Sequence, residues 1–236
     1  MYSKFIMTNP KHWSIPTNSL LNHKQYTSVE WNDLAYFDAV IEYLKENNIK
    51  SFVDVGGCTG EVSNILLERV ASIDYGLIFE PHPDNYEFIL NAVDTNKVKV
   101  ENKALFYGKD SISLSIRHAN VGSWSIVFSE SHPEYSVDVP CVDIDTYLSE
   151  REYDFIKIDI EGSEFNLIEN SKLLKEIKYI ELEVHHEHFR IQQKSNPKYN
   201  EYEYCLDFIK DHLPNHEIEY YLGDELDPGN MLLVKK

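Results

Sequence analysis

Phe52-Val-Asp-Val-Gly-Gly-Cys-Thr-Gly60 is the stretch that decides how this chain is read. A short apolar run holds an acid near its end, and three glycines then fall within the five residues Gly56–Gly60. Apolar residues at helical spacing come next: Val62, Ile65, Leu66, Leu67 and Val70. The pattern predicts a strand, a tight turn and a helix. Glycine lets the backbone adopt φ > 0 and lets a ligand approach without a Cβ in the way. The helix start behind the turn offers unpaired N–H groups to a polar ligand. A nucleotide-like cofactor is the ligand this implies.

The spacing is Gly-Gly-x-x-Gly, not the Gly-x-Gly-x-x-Gly of dinucleotide sites. The residues after the helix add weight. A second apolar run, Tyr75-Gly-Leu-Ile-Phe79, ends in Glu80 and Pro81. Glu80 lies 26 residues after Asp54 (80 − 54), about one βαβ unit. An acid at the tip of the second strand accepts hydrogen bonds from ribose hydroxyls.

Working outward, Val29 to Asn47 has helical spacing, Pro83 to Val93 reads as a helix, and Val98–Glu101 as a third strand. This β-α-β-α-β half predicts a parallel, doubly wound sheet. Residues 104–142 change pattern: Ile112, Leu114 and Ile116 alternate with Ser111, Ser113 and Ser115. That predicts an antiparallel β insertion with one wet face. Winding resumes at Phe155–Ile158. A helix near 164–169, a strand at 179–184, a helix at 201–213 and a terminal strand pair at 217–221 and 231–234 complete the chain. The expectation is an α/β fold with a seven-stranded, mostly parallel sheet, residues 29–236 forming one domain. Residues 1–28, rich in Asn, Ser, Thr and Pro, read as an N-terminal arm or lid.

The formal net charge of −18 opposes capture of nucleic acid or anionic membrane, which need Lys and Arg clusters. No apolar stretch reaches the ~20 residues of a membrane span. Cys58, Cys141 and Cys205 form no metal-type pair and no disulfide framework. A cytoplasmic location is the expectation.

Asp54, Glu80, Asn102 and Asp159 each close a predicted parallel strand, so all four should face one crevice. In Lys157-Ile-Asp159-Ile-Glu161-Gly162, period two puts Lys157, Asp159 and Glu161 on one side. Such a set can position a hydroxyl, remove its proton or face a sulfonium; the alternative is a surface ion-pair ladder. Glu181, Glu183 and His185 alternate likewise, with His186, Glu187 and His188 beyond. They suit a general base. Carboxylates and imidazole also suit a divalent metal, but without a tight ligand spacing none is expected.

These residues resemble the FkbM-type S-adenosylmethionine-dependent methyltransferases. The matching pieces are Val53–Gly60, Phe79–Pro83, Asn102–Leu105, Asn120–Ser123, Val142–Leu148 and Asp154–Gly162, with Lys-Ile-Asp-Ile-Glu-Gly the most specific. The family usually has Ala-Asn where this chain has Gly57-Cys58. The resemblance implies a transferase with a Rossmann-like, class I methyltransferase sheet and S-adenosylmethionine as cofactor. It implies cofactor binding by Asp54, Gly56, Gly57, Gly60, Glu80, Pro81, Asn102, Ala104 and Asp159. It points to Asp159, Glu161, Lys157 and His185 for catalysis, and to O-methylation of a small molecule or glycan. The alternatives are a nucleic-acid methyltransferase and a non-catalytic cofactor-binding module.

Overall fold

The predicted first strand forms at Ser51–Val55 (β1) and is buried along its whole length. Helix α1 (Trp31–Glu46) precedes it; α2 (Glu61–Arg69), β2 (Tyr75–Phe79), α3 (Pro83–Ala92) and β3 (Val98–Glu101) come after it. Then come β4 (Ala104–Leu105), β5 (Ser111–Ile116), β6 (Trp124–Ser125), β7 (Ser136–Val142) and the single turn α4 (Asp145–Leu148). The second half holds β8 (Phe155–Ile158), α5 (Glu164–Asn170), β9 (Tyr179–Glu183), α6 (Glu203–His212), β10 (His216–Leu222) and β11 (Asn230–Lys235). The computed structural model describes residues 31–116, 124–125, 136–185, 203–222 and 230–236. The expectations for residues 1–28, for Asn120–Ser123 and for His186, Glu187 and His188 lie outside the described residues.

Seven strands form one sheet in the order β10-β11-β9-β8-β1-β2-β3. Its β3, β2, β1, β8 and β9 pair in parallel, and β11 runs antiparallel to both its neighbours. The winding reverses between β1 and β8, so the carboxyl ends of these two strands open a crevice. Both faces are buried, which is why the strands read as near-continuous apolar runs. Val53, Leu77, Ile156 and Ile180 pack on one side with Phe165 and Phe208. Phe52, Ile78 and Phe155 pack on the other with Ile41, Leu66 and Ile89 from α1, α2 and α3.

The predicted insertion forms a second sheet in the order β4-β7-β5-β6. It is not wholly antiparallel: β4 pairs with β7 in parallel, while β5 pairs antiparallel with β6 and β7. Helix α4 escaped the sequence reading because four residues carry no period.

A charged row crosses the apolar sheet. Asp54 on β1, Lys157 on β8 and Glu181 on β9 are register neighbours and share a face. They are 1%, 6% and 1% exposed. Of Lys157, Asp159 and Glu161, for which a surface ladder was the alternative, Lys157 is buried in this row, while Asp159 and Glu161 lie beyond it and are half-buried. Removing one partner of such a row leaves an uncompensated buried charge.

Gly56 shows how tightly the strand tips meet. It has φ +87, and a Cβ there would lie 1.9 Å from the Asp159 carbonyl oxygen on β8's exit. Gly108 has φ +82 but open space around it. We expect Gly108→Ala to cost about 1 kcal/mol of backbone strain, and Gly56→Ala at least ~2 kcal/mol more because neighbouring backbone must move. Urea unfolding of both variants checks this; equal losses would show that the close approach is unimportant.

Candidate active site

The ends of β1, β2 and β8 open on a cleft of about 780 Å³, counted out to open solvent. Gly56, Cys58, Glu80, Asp159 and Glu161 supply much of its polar lining. Ile112 and Leu114 from β5 supply apolar lining, so the insertion takes part in the same cleft.

The glycine turn is not a phosphate cradle. Gly56 and Gly57 both donate their N–H groups to the Phe79 carbonyl, each at 3.0 Å. Gly60 N–H donates to the Gly57 carbonyl at 2.7 Å, and Cys58 N–H to Glu80 Oε2 at 2.8 Å. These turn donors are used within the chain; the helix start, where the sequence suggested N–H groups free for a ligand, begins after them at Glu61. Cys58 sits at φ +49. Burial, then the Glu80 and Asp159 carboxylates, push its thiol up to about 12, so it stays protonated.

Glu80 is held from several sides. His82 N–H donates to its Oε1 at 2.8 Å, and the Asn85 amide at 3.5 Å. A carboxylate has about four lone-pair sites; two bonds fall on Oε1 and one on Oε2, so Oε2 keeps accepting capacity. Burial raises its carboxyl to about 7, although the His82 and Cys58 N–H groups pull the other way.

Asp159 is the hub of the charged cluster. Lys157 Nζ donates to its Oδ2 at 2.9 Å. Burial alone would raise the Asp159 carboxyl, but Lys157 and His185 outweigh it and hold it below its ordinary value. The Asp159 charge, then burial, push Glu183 up to about 8. Burial opposes charge on Lys157, yet Asp159, Glu181 and Asp54 raise it overall. His185 is held at Nδ1 by Glu164 Oε1 at 2.7 Å, and its Nε2 lies 3.5 Å from Glu161 Oε2 and 3.8 Å from Glu183 Oε1. Burial lowers His185, but Glu164 and the other acids carry it up to about 10.

The expectation that four strand-end residues face one crevice holds for Glu80 and Asp159. Gly56, Pro81, Ala104 and Glu161 join them in the lining. Asp54 lies inside β1 instead of after it; its Oδ2 accepts from Ser63 at 2.6 Å and its Oδ1 is buried without a hydrogen-bond partner among the described residues. The Asn102 amide turns into the chain and donates to the Glu80 and Pro81 carbonyls, both at 2.9 Å. It braces the strand tip. A Cβ on Gly57 would meet Ile78 at 2.3 Å, so that glycine serves packing, and Gly60 is the left-handed N-cap of α2. Lys157 and His185 stand behind the lining residues. Period two does not carry through to Glu161, because β8 stops at Ile158 and Glu161 takes φ +52.

Sequence reasoning missed Glu164 and the role of Ile112 and Leu114. Glu164 is 0% exposed and its Oε1 also accepts from Ile160 N–H and Gly162 N–H. Nothing in its spacing distinguishes it from a helix-start acid. The alternation at 111–116 marked an apolar face without saying what that face covers.

The methyltransferase FkbM domain family matches residues 54–221. Among solved structures, the methyltransferase FkbM from Methylobacillus flagellatus KT aligns with a TM-score of 0.51 at 18% identity, covering 80% of this chain and 44% of that one. This chain thus spans less than half the length of that relative. A putative caffeoyl-CoA O-methyltransferase from Staphylococcus aureus aligns at 0.44 and 13% identity, covering 84% and 82% of the two chains. Trm1 from Pyrococcus horikoshii, in complex with S-adenosyl-L-methionine, aligns at 0.49 and 15%, covering 87% and 55%. No curated protein matches the sequence significantly. Among the described residues no helix is long and apolar enough to cross a membrane. The family match spans well over half of the chain, from Asp54 in β1 to β10, the last strand but one: the chain belongs to the FkbM methyltransferase family.

Proposed function

We propose that this chain transfers a methyl group from S-adenosylmethionine to a hydroxyl of a small molecule or carbohydrate. The observation that carries the reading is the donor set at the cleft. The N–H groups of Gly56, Gly57, Cys58 and Gly60 are engaged within the chain, while Glu80, Asp159 and Glu161 line the opening. Such a site disfavours a pyrophosphate and suits a nucleoside with a positive charge and no phosphate. The buried, partnerless Oδ1 of Asp54 adds an acceptor behind the turn.

When bound, S-adenosylmethionine supplies an electrophilic methyl on a sulfonium to the acceptor oxygen. Glu80, pinned by Cys58 and His82, would accept from the ribose hydroxyls. Pro81 and Ala104 would flank the adenine, and Asn102 would keep the Glu80–Pro81 tip in place. Asp159 would stand near the reacting centre, its charge kept in place by Lys157. Asp159 and Glu161 line the cleft, so either would be available to take an acceptor's hydroxyl proton. Ile112 and Leu114 would shield that region from water. A net charge of −18 argues for an uncharged or cationic acceptor over a polynucleotide.

Three outcomes are expected. Calorimetric titration with S-adenosylhomocysteine should show affinity falling by up to ~10-fold per pH unit below about 7, because the ionised Glu80 carboxylate is the form that accepts. Glu80→Gln should weaken binding and flatten that slope; a wild-type profile that is flat across this range would remove Glu80 from the site. Asp159→Asn should hold S-adenosylhomocysteine within ~3-fold of wild type yet lower turnover by ~100-fold or more; unchanged turnover would clear Asp159. Mass spectrometry with methyl-labelled cofactor against glycan, small-molecule and nucleotide pools should find the label on a hydroxyl oxygen. Label appearing on polynucleotide alone would contradict the acceptor class.

A further inference from the structure

Beside the cofactor side of the cleft lies a second set of donors. Asp159, Glu161 and His185 each bring one ligand atom within 4.8 Å of the other two. Two carboxylates and an imidazole form a mixed oxygen–nitrogen set of the kind that takes divalent cations. They come from separate segments: the exit of β8, the left-handed turn after it, and the segment after β9.

The imidazole is aimed. Glu164 Oε1 lies 2.7 Å from His185 Nδ1, and the same oxygen accepts from Ile160 N–H at 3.2 Å and Gly162 N–H at 3.1 Å. Glu164 is fully buried, so its position is set by the fold. A carboxylate that holds Nδ1–H leaves Nε2 pointing the other way, toward Glu161 and Glu183. The second oxygen of Glu164 is also buried and has no hydrogen-bond partner among the described residues. All of the partners of this carboxylate therefore meet its Oε1.

Charge counting points the same way. Asp54, Asp159, Glu161, Glu164, Glu181 and Glu183 gather around Lys157 and His185. Among the described residues these six carboxyl groups outnumber two bases, a charge that protons, such as the one the Asp159 charge and burial favour on Glu183, or a further cation can meet. The Asp159 carboxylate already meets the Lys157 ammonium at Oδ2 and a hydrogen bond from the Glu183 side chain, so it is the shared acceptor at the centre of the cluster.

We propose that Asp159, Glu161 and His185 bind one divalent cation, with Glu164 as the positioning residue that fixes the imidazole. The proposal rests on the reading of this cleft as a methyltransferase site. The ion's open positions would hold the acceptor's hydroxyl oxygen beside Asp159, which makes the acceptor class an oxygen ligand able to coordinate metal. Metal-bound oxygen loses its proton more readily than a free hydroxyl.

The test is Mn²⁺ uptake by the full chain, read by the loss of the free-ion paramagnetic resonance signal and by calorimetry. S-adenosylhomocysteine binding is measured in parallel on the same samples. Wild type should take up one Mn²⁺ per chain well below ~1 mM, the weak end of protein cation sites. Glu161→Gln and His185→Gln should weaken uptake at least ~10-fold, and Glu164→Gln by about 10-fold, with S-adenosylhomocysteine affinity within ~3-fold in His185→Gln and Glu164→Gln. Changed hyperfine structure of the bound Mn²⁺ in Glu164→Gln would mark a positioning role that a loss of stability would not produce. No uptake at ~1 mM by a chain that binds S-adenosylhomocysteine overturns the cation site and leaves the cofactor site standing. Uptake unchanged in both Glu161→Gln and His185→Gln overturns it as well, since the ion then sits elsewhere. A chain that binds neither overturns the reading beneath the proposal.

Discussion

The Lys157 ammonium is the constraint on which the rest of this structure depends. It is buried where β1, β8 and β9 lie side by side, with Asp54 and Glu181 as its register neighbours and Asp159 2.9 Å away. A buried lysine is tolerated only with its counter-charges in place. The reverse also holds here: three acids can sit near the carboxyl ends of these strands because one cation is fixed among them. Strand pairing, the tip geometry and the charge of the cleft are therefore one problem with one solution. A shift of β8 by one residue would turn Lys157 to the opposite face of the sheet and put Ile156 or Ile158 against Asp54.

The glycine turn contributes in a different way from the one its sequence suggests. Gly56 is needed because the backbone of β8's exit passes where a side chain would be. The turn's N–H groups hold the tip of β2 and the carboxylate of Glu80. In the proposed function the turn would act on the cofactor through Glu80. That indirect action fits a nucleoside held by its sugar and a positively charged centre better than one held by phosphates.

Much of this was legible in the sequence because the signals were periodic and local. The apolar runs of β2 and β8 ended in the acids that reach the cleft, Glu80 and Asp159, and the strands β1, β2 and β8 matched their predicted spans within a residue or so. Three things were not legible. Asn102 comes after a strand as an adenine-edge residue would, but whether its amide faces a ligand or the chain depends on where Glu80 and Pro81 lie in space. Glu164 looks like any acid in a first helical turn, and its partner His185 is 21 residues away along the chain. The apolar face of β5 was visible as alternation, while the cleft it lines comes from the fold of the larger sheet. In each case the missing information is a long-range contact, which a pattern of neighbours along the chain does not encode.

The function of the fold turns on what occupies the crevice between β1 and β8. A crystal structure of the complex with S-adenosylhomocysteine tests this most directly. The ribose hydroxyls should lie within hydrogen-bond distance of Glu80 and the sulfur beside Asp159, with Ile112 and Leu114 against the bound molecule. Ligand density on another face of the sheet, with Glu80 and Asp159 contacting only solvent and the chain, would contradict it.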